Sequence, residues 1–309
     1  MNKYQDQKNR LQGEEEITLK YDYLLHASVP ETEFWGITYP DSEDSIDDLE
    51  KLHETCLHYK QLSFEDVKHI DTYKRYNYAL ALLEYKSYSE YCYSRPFTIQ
   101  ASRSDECNLS CKFCRPEPVQ KINSLSIELW QNALSTLLPS AIEFIPYCWG
   151  EPLLDKFFAT TCALAEKYHA KVSIITNWQQ VTGEIAETVL NGVKRMLISV
   201  DTSNPETYAR IRSGGSLQKV ERNLQLLFST SQRLEKELPW IGLSVVLTKN
   251  TLHDLPYLIE WAHENGIRGV SARRIVLREN IANILSEEPI DLSSDEYREV
   301  HDSSLKCAK

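Results

Sequence analysis

Three cysteines, Cys107, Cys111 and Cys114, fall within the run Cys107-Asn108-Leu109-Ser110-Cys111-Lys112-Phe113-Cys114, a Cys-x3-Cys-x2-Cys pattern with no fourth cysteine at ligand spacing. Thiolates are soft donors that suit zinc and iron-sulfur clusters. A structural zinc site is normally closed by four protein ligands, but no histidine lies between Cys114 and His169. A four-iron cubane held by three thiolates keeps one iron open to bind and activate something else. The competing readings are a zinc knuckle and free thiols.

Further chemistry-bearing residues recur at the ends of apolar runs. Tyr147-Cys148-Trp149-Gly150-Glu151-Pro152 offers exposed backbone and a carboxylate, although Gly-Glu-Pro is also an ordinary turn. Ser199 and Asp201 alternate, so a strand would put hydroxyl and carboxylate on one face; Asp201, Ser203 and Asn204 before Pro205 would equally cap a helix. Asn177 and Asn250 follow apolar runs where turn chemistry alone favours Asn. Arg212, before Gly214-Gly215, reads as an anion partner or as a surface arginine. Cys148 is either a core thiol or one at the mouth of the fold, with core packing favoured. Arg273 and Arg274 alternate, so one of them faces inward.

These residues need a scaffold that brings run ends together. From residue 96 onward short apolar runs alternate with amphipathic stretches, the pattern of strand-helix units around a parallel sheet. Strands are expected at 97–102, 141–147, 171–176, 194–200, 241–248 and 269–276. Helices are expected at 126–138, with Leu129, Leu134, Leu137 and Leu138 on the apolar side, and at 156–169, 184–191, 217–237 and 253–265. The fold class is α/β, a partial (βα)6 TIM-like barrel with a mainly helical N-terminal appendage. Loops at the strand C-terminal ends would hold the chemistry.

The order of motifs on successive strands resembles the radical SAM superfamily, over residues 96–276. The resemblance implies a 4Fe-4S cluster on Cys107, Cys111 and Cys114, whose open iron takes S-adenosylmethionine (SAM). Phe113 matches the aromatic residue near the adenine. Gly150 and Glu151 match the Gly-Gly-Glu-Pro segment that meets the SAM amino group, with Trp149 replacing its first glycine. Asn177 matches Thr-Asn-Gly, with Trp178 replacing glycine. Ser199 and Asp201 match the ribose motif, Arg212 the partner of the SAM carboxylate, and Asn250 a polar contact to SAM. Cys148 would be a hydrogen-atom donor, as in some family epimerases. The implied partners are an electron donor such as flavodoxin or ferredoxin and a peptide or small-molecule substrate. Oxidation, epimerisation, cross-linking and methyl transfer all remain open. So do a non-catalytic iron-sulfur or electron-transfer protein and a truncated, inactive homologue.

The rest of the chain narrows the class. A net charge of -11 opposes binding to a phosphate backbone, so no nucleic-acid partner is expected. No run of eighteen apolar residues and no signal peptide point to a cytoplasmic protein with no membrane partner. Residues 1–95 have another texture, with twelve of the seventeen tyrosines and six acidic residues within 41–50. Stretch 24–41 reads as irregular and 49–90 as mostly helical. The expected organisation is an appendage over 1–95 for substrate docking, the barrel over 96–280 and a short tail over 281–309. Ser293-Ser294-Asp295-Glu296 would cap one more helix. The similarity is to the SPASM or twitch branch, and this chain stops before a cysteine-rich extension could form.

Overall fold

Among the described residues eight short strands follow one another as β1 (Thr98–Gln100), β2 (Ser110–Cys111), β3 (Glu143–Ile145), β4 (Lys171–Thr176), β5 (Val193–Ser199), β6 (Arg212–Ser213), β7 (Trp240–Leu247) and β8 (Gly269–Arg274). They belong to a computed structural model that describes residues 90–114, 124–275 and 290–308 and individual positions between Lys74 and Tyr88. The chain divides into two units, Met1–Asp44 and Ser45–Lys309, and every described residue lies in the second. The expected irregular stretch 24–41, the acidic run 41–50 and most of the helical stretch 49–90 lie outside the described residues. Within that last stretch Lys74, Asn77, Tyr78, Leu80, Ala81, Glu84 and Tyr85 have helical backbone.

Among the described residues six strands form one parallel sheet in the order β1-β3-β4-β5-β7-β8, and β2 pairs antiparallel with β6. Parallel neighbours require crossovers, which the helices supply: α1 (Ile127–Leu137), α2 (Phe158–Lys167), α3 (Gly183–Gly192), α5 (Leu217–Leu234) and α7 (Leu255–Glu264), with shorter α4 (Pro205–Ile211) and α6 (Lys249–Leu252), and α8 (Asp295–Cys307) in the tail. This is the expected α/β partial barrel.

Alternation divides each strand between two environments. Phe144, Val172, Ile174, Met196, Ile198, Ile241, Leu243 and Val245 are buried in one core with Trp130, Leu134, Val189, Leu224 and Leu258 of the helices. Each such side chain contributes roughly 1.5–3 kcal/mol. The opposite face carries Glu143, Ser173, Arg195, Ser199, Ser244, Ser271 and Arg273, so the concave side of the sheet is polar.

Local chemistry sets the boundaries. Ser126 caps α1 by accepting from Leu129 N–H, and Ser294 caps α8 by accepting from Tyr297 N–H. The apolar face of α1 differs from expectation: Trp130 and Leu134 are buried, while Leu129 and Leu137 are exposed. β3 is shorter than expected because Pro146 lacks the N–H a ladder needs. α5 stops at Leu234, where Glu235 turns left-handed at φ 54°. Thr248 opens α6 through a reciprocal capping box with Thr251, and α7 restarts at Leu255 with Pro256 in its first turn. No helix among the described residues is long and apolar enough to cross a membrane.

Candidate functional site

The cysteine loop leaves the C-terminal end of β1 and is braced at its start and at its centre. At its start Arg103 holds Asp155 in a bidentate ion pair, with Nε at 2.8 and 2.7 Å from the two carboxylate oxygens. At its centre β2 pairs with β6, which sets Cys111 opposite Arg212, and Lys112 N–H donates to Ile211 C=O at 3.0 Å. Cys107, Cys111 and Cys114 are half-buried thiols in no disulfide, close enough for their charges to interact. Burial pushes the Cys111 thiol up to about 11, Arg212 opposing and the charges of Cys114 and Cys107 adding to the rise.

Two N–H groups approach the sulfurs: Asn177 Nδ2 lies 3.9 Å from Cys107 Sγ and Arg212 Nη1 lies 3.9 Å from Cys111 Sγ. Hydrogen bonds to ligand sulfur are a main protein control over iron-sulfur clusters. Among the described residues no three His, Cys, Asp or Glu side chains converge tightly enough for a single ion. Thiols met by N–H donors are the donor set a cluster-binding loop needs.

Beyond β3 the chain turns back onto this loop. A Cβ at Gly150 would stand 2.7 Å from Ser104 C=O and 2.8 Å from Glu106 C=O, and Glu151 N–H donates to Glu106 C=O at 2.7 Å. Close backbone approach is therefore kept at Gly150, while Trp149 in front of it is exposed. The buried Glu151 carboxylate accepts from Thr176 Oγ1 at 2.6 Å, Asn177 N–H at 2.7 Å and Leu153 N–H at 3.3 Å. Burial raises its pKa to about 7, and these hydrogen bonds with the charge of Arg212 hold it from rising further.

Asp201, just past β5, takes Arg212 Nε on Oδ2 at 2.6 Å and Nη2 on Oδ1 at 3.0 Å, and Oδ1 also accepts from Val246 N–H at 2.9 Å. Both side chains are buried. Burial opposes the arginine's charge, but the Asp201 carboxylate more than offsets this and holds Arg212 above its ordinary range. The guanidinium also sits over the Phe113 ring, 5.3 Å from its centroid. The cysteine loop, the β5 end and β6 thus share one arginine, which is no surface arginine.

A family model described as Radical SAM superfamily matches residues 102–262. The chain belongs to the radical SAM superfamily.

Among its curated relatives, GTP 3',8-cyclase of Caulobacter vibrioides is 23% identical over 176 residues, 54% of this chain and 49% of that protein. GTP 3',8-cyclase of Peptoclostridium acidaminophilum is 31% identical over 128 residues, 40% of this chain and 39% of that one. This radical SAM chain spans about half the length of several curated relatives it matches. Among solved structures, Streptococcus suis SuiB bound to S-adenosylmethionine shares the fold at a TM-score of 0.57 and 17% identity, covering 83% of this chain and 56% of that one. SuiB bound to the precursor peptide SuiA gives 0.56 and 16%, covering 76% and 51%. Radical SAM enzymes use a 4Fe-4S cluster and S-adenosylmethionine.

Against that family pattern the remaining residues fall as follows. Ser199 is buried at the end of β5, facing Ser244 of β7 in register. Asn250 is exposed on α6, beyond the end of β7. Cys148 is exposed rather than packed in the core, because the loop after Pro146 leaves the sheet before reaching it. Arg273 is the inward arginine of its pair, close enough to Tyr147 and Arg195 for their charges to interact. Asn204, not Asp201, caps α4, accepting from Thr207 N–H.

Trp178, which the sequence resemblance sets against a glycine, lies in the left-handed region at φ 54° and is fully buried. A glycine is common there because the turn demands positive φ, and here neighbours over-determine the strained residue. Asn223 Nδ2 donates to Trp178 C=O at 2.9 Å and Trp178 N–H donates to Thr176 Oγ1 at 3.0 Å. Two relationships escaped the sequence reading: the β2–β6 pairing and the Asp201–Arg212 clamp. The place of Arg212 before Gly214-Gly215 was the one signal pointing toward them.

Proposed function

We propose that Cys107, Cys111 and Cys114 bind a 4Fe-4S cluster and that this chain cleaves S-adenosylmethionine reductively to take a hydrogen atom from a peptide or sugar-like metabolite. Cys107, Cys111 and Cys114 would hold the cluster, which would supply the single electron for reductive cleavage of S-adenosylmethionine to methionine and, once substrate hydrogen is taken, 5'-deoxyadenosine. An electron donor such as flavodoxin or ferredoxin reduces the cluster.

In this reading the protein positions and shields. Asn177 and Arg212 direct N–H groups at two cysteine sulfurs and tune them. Glu151 and the backbone at Gly150 receive the amino group of S-adenosylmethionine; the carboxylate is already fixed by Thr176 and Asn177 and keeps lone pairs for an ammonium. Arg212, aligned by Asp201, has N–H groups left over for the methionine carboxylate. Ser199 and Asp201 take ribose hydroxyls, Phe113 lies by the adenine, and Asn250 adds a polar contact from the end of β7. Cys148 returns a hydrogen atom to the product radical if the outcome is epimerisation. Residues 1–95 dock the substrate. SuiB, of like fold, was solved with a precursor peptide, which favours the peptide class.

The observation that carries this reading is the register of Cys111 with Arg212, since it joins the three-thiol loop to the Asp201 clamp within one family-matched segment. Oxygen-free protein loaded with iron and sulfide and reduced in the presence of S-adenosylmethionine should release 5'-deoxyadenosine, and Cys111→Ala should abolish it. Release undiminished in that variant would reject the assignment.

A further inference from the structure

The concave face of the barrel holds a charged group that the cofactor chemistry leaves unused. Glu143 opens β3's ladder and Tyr147 stands four residues further along the same side; Arg195 of β5 is close enough to act on both, and Arg273 of β8 on Tyr147. Trp240 forms a floor. Its indole lies over Gly242 and Gly269, where a Cβ would come within 2.5 and 2.9 Å of the ring, and Arg195 stacks 5.3 Å from its centroid. Arg195 is thus engaged by Trp240 and by the field of Glu143.

Arg273 is not so engaged. It is exposed on the inner face, with no hydrogen bond or ion pair among the described residues, and the charges it meets include Arg195 of the same sign. Glu143 is 8% exposed, and its Oε1 has no hydrogen-bond partner among the described residues. A buried carboxylate oxygen without a donor is costly unless a ligand supplies one. Between the Trp240 floor and the level of Arg273, Ser199, Ser244 and Ser271 stand in one register row across β5, β7 and β8, small hydroxyls that leave room and offer hydrogen bonds.

We propose that this face is a substrate subsite in which Arg273 receives a carboxylate and Glu143 Oε1 receives a nearby N–H of the same ligand, so the substrate is a peptide presenting an acidic or C-terminal residue. The proposal rests on the radical SAM reading above and names its substrate class. A polyanion such as a triphosphate fits worse, because Glu143 lies among the arginines and would repel it. A bidentate guanidinium suits a single carboxylate.

Binding to the reconstituted, S-adenosylmethionine-loaded protein tests this without turnover. The probes are acetyl-Ala-Glu-Ala-amide, its Gln counterpart, acetyl-Ala-Ala-Ala with a free C-terminus, and inorganic pyrophosphate, each measured by calorimetry. The Glu peptide, the free C-terminus or both should bind about tenfold or more tighter than the Gln amide. Which of the two does so identifies the source of the carboxylate. Arg273→Gln should erase the difference, and Arg274→Gln on the other face should keep it; both should melt like the unsubstituted protein. Binding of the Glu peptide and of the free C-terminus both no tighter than the Gln amide, preference for pyrophosphate, or discrimination surviving Arg273→Gln would overturn the subsite. Unsubstituted protein that discriminates the peptides yet never cleaves S-adenosylmethionine would sink the enzymatic reading and leave the subsite standing.

Discussion

Asp201 grips Arg212 through both carboxylate oxygens, at 2.6 and 3.0 Å, while the same guanidinium reaches to 3.9 Å from Cys111 Sγ. One buried ion pair therefore sets the position of the middle cysteine relative to the end of β5. Burying two charges is costly, and the pair persists because each satisfies the other.

Removing one partner leaves the other charged and unpaired in the interior. Asp201→Ala should lower unfolding free energy by about 3–5 kcal/mol in denaturant titrations. A loss below about 1 kcal/mol, the range of surface pairs, would mean that Arg212 is solvated after all. Arg212→Lys keeps a charge but loses the fork, so it should recover only part of the stability.

Trp178 opposes two effects. Replacing it with glycine relieves left-handed strain of about 1–3 kcal/mol, but deleting a fully buried indole costs about 3–5 kcal/mol. Packing should win, and Trp178→Gly should be less stable by roughly 1–3 kcal/mol. A more stable variant would show the turn to be the greater burden.

The raised pKa of Glu151 has a signed consequence. Its folded value of about 7 exceeds that of an unfolded carboxyl, so the folded state binds more protons between about pH 4.5 and 7 and its stability falls as pH rises through that window. Glu143, also raised by burial, acts in the same direction. Thermal midpoints of ligand-free protein should decline across this range, and Glu151→Gln should flatten the decline. An unchanged slope in the variant would assign it elsewhere.

Gly150→Ala tests the brace on the cysteine loop. The added methyl meets two backbone oxygens, Ser104 C=O and Glu106 C=O, that have no flexible end to move. The variant should fold yet retain much less iron after reconstitution and desalting. Full iron retention would show that the loop tolerates displacement.

Much of this arrangement was legible in the chain. The β4 segment reads correctly to the residue because a compact β-branched run, Val172 to Thr176, ends at a turn-forming Asn177. Ser126 and Ser294 signal their helices through side-chain oxygens that accept a backbone N–H. Strand alternation shows that one of Arg273 and Arg274 faces inward, but not which of the two. The β2–β6 ladder was not legible, since two residues carry no period and the partners lie 101 positions apart. Nor was the Asp201–Arg212 pair: alternation shows which face Asp201 takes, but not that α4 returns the chain to deliver an arginine to it. Cys148 was misjudged as core because its burial depends on where the loop after Pro146 goes, which composition does not encode.

The central claim is that three cysteines hold a four-iron cluster with one corner free for S-adenosylmethionine. Electron paramagnetic resonance of the reduced, oxygen-free protein measures this most directly. The account predicts a 4Fe-4S signal that changes shape when S-adenosylmethionine is added. A signal indifferent to S-adenosylmethionine, or protein that loads zinc and assembles no cluster, would contradict it.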